Sequence, residues 1–373
     1  MKLQRETILI LIYIAIAIAL AFVPTGFQRA IYTNATGAKA RVLEVDNSTI
    51  YQQGLFKMGD QRCTVEILSG VHKGLVMESI NMLSGSLAND KLFAKDDIAW
   101  VLIERDSNNE PIAINAIDYY RLSKEVLLII VFSLALILFS GKRGARTILS
   151  FVLAFLLIWK VLIPLTLKGH NPIVVSLLVL IVQMSFTIFL VGGIGKRSIA
   201  SLSGSILSAI ITSIISLLLT KTFQIDGSVL ASSESLLYAG FQDLNLTAIY
   251  SGAILLSAGG AIMDLSIDVA SSIQEVSIHS PNLSMKEYFK SGMEVGRAGV
   301  GTQITTLLLA YMGSYLTILM VYMAQATPPL NILTGKQTAA EIVQTITGAF
   351  SLLLVSPLTA FFASKLFSKK NRA

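Results

Sequence analysis

The stretch Ser257–Glu275, SAGGAIMDLSIDVASSIQE, holds the residues most able to do chemistry. Asp264, Asp268 and Glu275 follow one another at intervals of four and seven. On a helix those intervals place three carboxylates on one face. Such a row can coordinate a cation, relay protons or line a polar entrance. The run closes an apolar segment, Leu246–Met263. At 1.5 Å per residue Asp264 falls about 27 Å, and Asp268 about 33 Å, from its start. Both then lie near one boundary of a hydrocarbon core about 30 Å thick. An acid inside that core costs about 2.5–3.5 kcal/mol on insertion scales, so one held there serves a purpose. The plain alternative is a helix that has already left the membrane, with solvated acids. Gly259 and Gly260, one turn earlier, leave room for a neighbouring helix or a substrate.

A second constellation follows: Gly292, Glu294, Gly296, Arg297, Gly299 and Gly301, then Gln303 among threonines. Glycines at this density are poor helix material. They suit close packing, or a locally broken helix whose free backbone groups line a cavity. Arg297 is placed to pair with Asp264 or Asp268, or to serve only as a positive loop residue. Asp264, Asp268, Glu275, Glu294, Arg297 and Gln303 are therefore the candidate transport or ion-site residues. Gly259, Gly260, Gly296, Gly299 and Gly301 are the packing or hinge candidates. Catalysis is not expected. An aspartyl dyad needs carboxylates about 3 Å apart, whereas neighbours on one helix face have Cβ atoms about 5–6 Å apart, and no second motif accompanies them. The residues specify neither a metal nor a cofactor: the three histidines are far apart, and Cys63 is the single cysteine.

The elements that must position these groups are apolar. The chain is 53% hydrophobic and 14% charged, against about 25% charged in soluble domains. Its formal charge of +6 does not indicate nucleic acid, because Lys and Arg gather in short loops between apolar runs. Eight such runs are expected to span a membrane: Thr7–Val23, Val126–Ser140, Ile148–Leu167, Pro172–Gly193, Ile199–Leu219, Leu246–Met263, Thr302–Met323 and Ile342–Phe367. The first reads as an uncleaved signal anchor in preference to a signal peptide. Serines 201, 205, 208, 213 and 216 allow close helix contact in lipid.

Residues 25–123 differ. They carry 12 of the 23 acidic residues, a density that marks a solvated domain. Short β-like runs, Ala40–Val45, Cys63–Leu68, Gly74–Ile80 and Ile98–Glu104, alternate with turn signals that include Met58-Gly59-Asp60 and the approach to Pro111. That spacing predicts a small all-β barrel or sandwich. The expected organisation is an anchor helix over 1–24, an extracytoplasmic β domain over 25–123, and a seven-helix transmembrane domain over 124–373. The class is a mainly α-helical polytopic membrane protein. Basic clusters at Lys142-Arg143-Arg146, Lys196-Arg197, Lys286-Lys290-Arg297 and Lys365-Lys369-Lys370-Arg372 share a side with Lys2 and Arg5. By the positive-inside rule both termini are cytoplasmic.

The runs GGAIMDLSIDVASSIQEV and GRAGVGTQITTLLLAYMGSYL, with the earlier RVLEVD … VEILSGVHKGLVMES, together resemble the YibE/F family of bacterial multi-pass membrane proteins. The resemblance spans nearly the whole chain after the first helix. It implies a multi-helix membrane domain with an extracytoplasmic N-terminal domain, in the bacterial cytoplasmic membrane. It implies no substrate, reaction or functional residue. The expected function is transport, with the acids as cation or proton sites. The alternative is a non-transporting scaffold or accessory subunit whose β domain binds an envelope protein. The bilayer is the expected partner in either case, an envelope protein docking on 25–123 is a second, and self-association is open.

Overall fold

The computed structural model describes residues 2–27 and 34–368. Lys369, Lys370 and Arg372, used above for orientation, lie outside the described residues, as do the side chains of Lys2 and Arg5. The chain is mostly helical and divides into two compact units, Gln28–Ala135 and Met1–Phe27 with Leu136–Ala373.

The first unit is a β barrel that runs into a helix. Its strands are β1 (Ala35–Asp46), β2 (Tyr51–Gln53), β3 (Phe56–Ile67), β4 (Val76–Ser84), β5 (Ile98–Arg105) and β6 (Pro111–Tyr119). They lie in the order β1-β5-β6-β4-β3-β2, and β1 also pairs with β3. One strand therefore serves both halves of the sheet. Its N-terminal part pairs with β5 and its C-terminal part with β3, and the register shifts between Val42 and Glu44. A bulge of this kind bends a strand and lets a sheet close. β4 and β6 run parallel and every other pairing is antiparallel. Setting aside the short β2, this is a five-stranded Greek-key barrel of the OB type. Connectivity alone carries no ligand with it. The core holds Ala40, Val42, Cys63, Val65, Ile67, Val101 and Ile103. Cys63 packs as a small hydrophobe, and burial pushes its thiol up to about 11.

One expectation changes here. Met58-Gly59-Asp60 is not a turn but lies inside β3, with Gly59 at φ +109°. The turn expected on the approach to Pro111 forms between Asp106 and Glu110, and Pro111 opens β6, the first strand position being one that tolerates proline. Gln61 and Asn81 are fully buried within the barrel. The Gln61 amide donates to Phe93 O and accepts from Phe93 N, both at 2.9 Å, while Asn81 donates to Lys91 O at 2.7 Å. These bonds pin the loop between β4 and β5 onto the barrel wall.

The second unit is a helical bundle. Its helices are α1 (Lys2–Phe22), the end of α2 (Leu122–Ser140), α3 (Lys142–Leu167), α4 (Pro172–Gly192), α5 (Lys196–Thr222), α6 (Leu246–His279), α7 (Met285–Ala324) and α8 (Lys336–Phe367). Seven of them, α2 to α8, are long and apolar enough to cross a membrane, and α1 carries a shorter apolar stretch over Thr7–Phe22. The ends follow local chemistry. Asn171 caps α4 ahead of a proline, Asn245 caps α6 by accepting from Ala248 N, and Ser284 with Glu287 forms a capping box on α7. In α3 a π-turn over Ile158–Leu162 precedes Pro164. Lys160 in that turn donates to Val23 O beyond the end of α1 at 3.1 Å, satisfying a carbonyl that the helix leaves free.

The core of the bundle is built from α4 to α8, with Leu180, Met184, Ile262, Leu265, Val269, Ile273, Leu352 and Val355 buried together. Its interior is also unusually hydroxylated. Ser201 and Ser205 of α5 bond to Ser266 of α6 at 2.6 and 2.8 Å. Ser208 donates to Ser351 O of α8 at 3.0 Å. Glycines let these helices approach. A Cβ on Gly204 would collide with the backbone and hydroxyl of Thr359, and one on Gly296 with the side chain of Ser356.

Candidate functional site

Helix α6 positions the acids. Its inward stripe, including Ile254, Leu255, Ala258, Ile262, Leu265, Val269 and Ile273, is buried against α4, α5, α7 and α8. The opposite stripe runs Ser257, Gly260, Asp264, Asp268, Glu275, all exposed. The three carboxylates do share a face, and it is the outer one. α6 starts at Leu246, so Asp264 and Asp268 lie about 27 and 33 Å along it. The helix continues to His279, about 51 Å in all and some 20 Å more than a hydrocarbon core needs. α7 runs 40 residues, about 60 Å.

Among the described residues neither Asp264 nor Asp268 has a hydrogen-bond or ion-pair partner. Arg297 does not reach either acid. It pairs with Glu294 on its own helix at 3.3 Å. Glu275 pairs with His279 at 3.9 Å. Both pairs are exposed, in the parts of α6 and α7 that overhang a core thickness. No group of three or more His, Cys, Asp or Glu that could hold a metal ion occurs among the described residues.

The glycines of the second constellation do not break α7, which is helical throughout Met285–Ala324. A side chain on Gly292 would meet Ile273 and Ala360, on Gly296 Ser356 and Val269, and on Gly299 Leu265. Gly259 is likewise closed off by Leu180 of α4. Gly260 and Gly301 are different, with nothing within 4 Å of a built Cβ. They lie on the outer faces of α6 and α7, as do the acids on α6. Gln303 continues the face of α7 that carries Gly292, Gly296 and Gly299, at intervals of four, three and four. Its Oε1 is buried without a hydrogen-bond partner. Tyr311 of α7 donates to Ser257 of α6 at 3.0 Å, tying the polar stripe to its neighbour.

Sequence reasoning overlooked the α8 side of the hydroxyl seam. Thr347, Ser351, Ser356, Thr359 and Ser364 are all buried, and the oxygens of Thr212, Ser356 and Thr359 have no hydrogen-bond partner. The signal was present as small polar residues recurring through Thr347–Ser364, as serines do along α5.

One family profile, described as YibE/F-like protein, matches residues 128–369. The chain belongs to the YibE/F-like family. The match takes in α3 to α8 and begins within α2, so the barrel pattern quoted for the resemblance lies outside it. No curated protein and no solved structure matches the chain. Family membership and the seven long apolar helices together indicate a membrane protein.

Proposed function

We propose that the chain is an integral protein of the bacterial cytoplasmic membrane and acts as a transporter or permease, with Asp264 and Asp268 as its cation or proton site. Both termini are cytoplasmic and the barrel is extracytoplasmic. Lys142, Arg143, Arg146, Lys196 and Arg197 support that orientation, since they fall at the turns between α2 and α3 and between α4 and α5. The observation that carries the reading is the pair of partnerless acids on an otherwise packed, span-length helix, one turn beyond the open Gly260. Ion or proton flux in proteoliposomes tests it. Asp264→Asn should lower flux and the double variant with Asp268→Asn should abolish it. Unchanged flux in a folded double variant would remove both acids from the mechanism.

A second reading is favoured by the exposure of the same acids. In it the chain is a non-transporting scaffold or accessory subunit, its barrel binding an envelope protein, and the outer stripe meets water or a second copy of the chain. Single cysteines replacing Ser257, Gly260, Asp264 and Asp268 separate the two. Labelling of all four by a water-soluble reagent supports an aqueous path, and labelling at 268 alone supports a plain boundary.

A further inference from the structure

At one end of the barrel, large apolar side chains project into solvent. The tip joining β2 to β3 exposes Tyr51 (59%), Leu55 (77%) and Phe56 (45%), and the loop after β4 exposes Leu87 (69%). Leu55, Lys57, Leu87 and Lys91 line one shallow pocket, so tip and loop are neighbours. Scattered surface hydrophobes need no explanation, but a group of this size on one tip does.

The strand directions say which end this is. Ser84 at the end of β4 pairs with Met58 beside the tip. β6 runs parallel to β4, so its last residue, Tyr119, leaves the barrel at that same end. The Tyr119 hydroxyl donates to Leu92 O in the loop that carries Leu87. Three residues later Leu122 begins α2, none of whose residues is buried. The apolar tip therefore sits where the chain passes from the barrel into an apolar helix of span length. Aromatic and aliphatic side chains flanked by lysines are the chemistry of a lipid interface. The rings and methyls enter the headgroup zone, and the ammonium groups meet anionic phosphates.

We propose that Tyr51, Leu55, Phe56 and Leu87 form a wedge that inserts into the bilayer surface, with Lys57 and Lys91 against anionic phospholipid headgroups. This rests on the membrane reading above, and the structure supplies its own control. The β3–β4 turn carries Val71, 95% exposed, at the other end of β3. Eleven steps of strand separate Phe56 from Ile67, about 36 Å.

The experiment places an environment-sensitive fluorophore on Leu55→Cys, Leu87→Cys, Val71→Cys or Leu128→Cys of the full chain. The wild type is the blank, because its single cysteine is buried. The proteins are reconstituted in nanodiscs of phosphatidylglycerol and phosphatidylcholine in equal parts, with a lipid spin-labelled near the headgroup as quencher. Position 128, on the exposed face of α2, should be quenched. Positions 55 and 87 should be blue-shifted and quenched at least three-fold more than 71. Quenching at 128 with 55 and 87 behaving like 71 would overturn the wedge alone. A blue shift at 55 and 87 without lipid quenching would overturn it in favour of a protein partner. Quenching at 71 as strong as at 55 would overturn the claim that one end is specialised. No quenching at 128 would remove the membrane reading, and the wedge with it.

Discussion

Two glycines on one helix should respond oppositely to the same substitution. Gly296 and Gly301 both lie in the interior of α7. Replacing either with alanine gains about 0.8–1 kcal/mol of helix propensity, and that gain cancels when the two variants are compared. What remains is the environment of the new methyl. At 301 nothing lies within 4 Å, so Gly301→Ala should be neutral or stabilising by up to about 1 kcal/mol. At 296 the methyl meets both the Cβ and the hydroxyl of the buried Ser356. Overpacking of this kind costs about 1–3 kcal/mol. Gly296→Ala should therefore fall about 1–3 kcal/mol below Gly301→Ala, and adding Ser356→Gly should recover most of the loss. Thermal unfolding of the purified variants in one detergent measures the gap. If Gly296→Ala is as stable as Gly301→Ala, α7 does not pack on α8 as described, and the placement of the acid stripe outside that packing loses its basis.

Other expectations follow from the same geometry. Ser266→Ala should strand the hydroxyls of Ser201 and Ser205 and cost about 0.6–1.7 kcal/mol, the range of hydrogen bonds between membrane helices. The triple variant with Ser201→Ala and Ser205→Ala should regain part of that loss in the same unfolding assay. Gln61→Leu leaves Phe93 N and O without their buried partner. At about 1–3 kcal/mol per orphaned group the β4–β5 loop should open, read as faster hydrogen exchange at residues 85–97 with the helices unchanged. Asp226 accepts from Lys336 at 2.6 Å, and that bond, then Ser228, holds its carboxyl down at about 2. Because the folded value lies below the ordinary 3.9, the pair's stabilisation is complete above about pH 4 and is lost as pH falls through 2. The pair is largely exposed and worth about 1 kcal/mol or less. Acid unfolding curves of the wild type and Asp226→Asn should therefore differ slightly above pH 4 and converge near pH 2.

The helices were legible because apolar runs in this chain are long and their ends carry strong local signals. Asn171-Pro172 set the start of α4 as expected, and Asn245 caps the run expected to open at Leu246. Lengths were less legible. α6 and α7 extend far past their apolar parts, because Glu275, Glu294 and Arg297 are compatible with helix in water and nothing breaks the backbone between them. The barrel was legible as alternation, while β6 was hidden by Pro111, whose meaning depends on where in a strand it stands. The acid row was legible as a face but not as an outer face. Both stripes of α6 carry small residues. Which stripe turns inward is decided by partners on α5 and α8, tens of residues away in each direction.

The two acids are not equivalent on the membrane reading proposed here. Asp264 lies about 27 Å from the start of α6 and Asp268 about 33 Å, so a core about 30 Å thick ends between them. Asp268 can reach headgroups and water directly. Asp264 is the one that incurs an insertion cost of about 2.5–3.5 kcal/mol if lipid faces it, a large fraction of the 5–15 kcal/mol by which proteins are stable. Its neighbours on the outer stripe toward the membrane centre are Gly260 and Ser257, small residues that do not cover it with hydrocarbon. Left uncovered by its own helix, Asp264 can meet water or a polar partner from the Asp268 end. Substitution at 264 should therefore govern flux, and substitution at 268 alone should mainly alter access. Equal effects of the two single variants would put both acids in one environment and the boundary elsewhere on the helix.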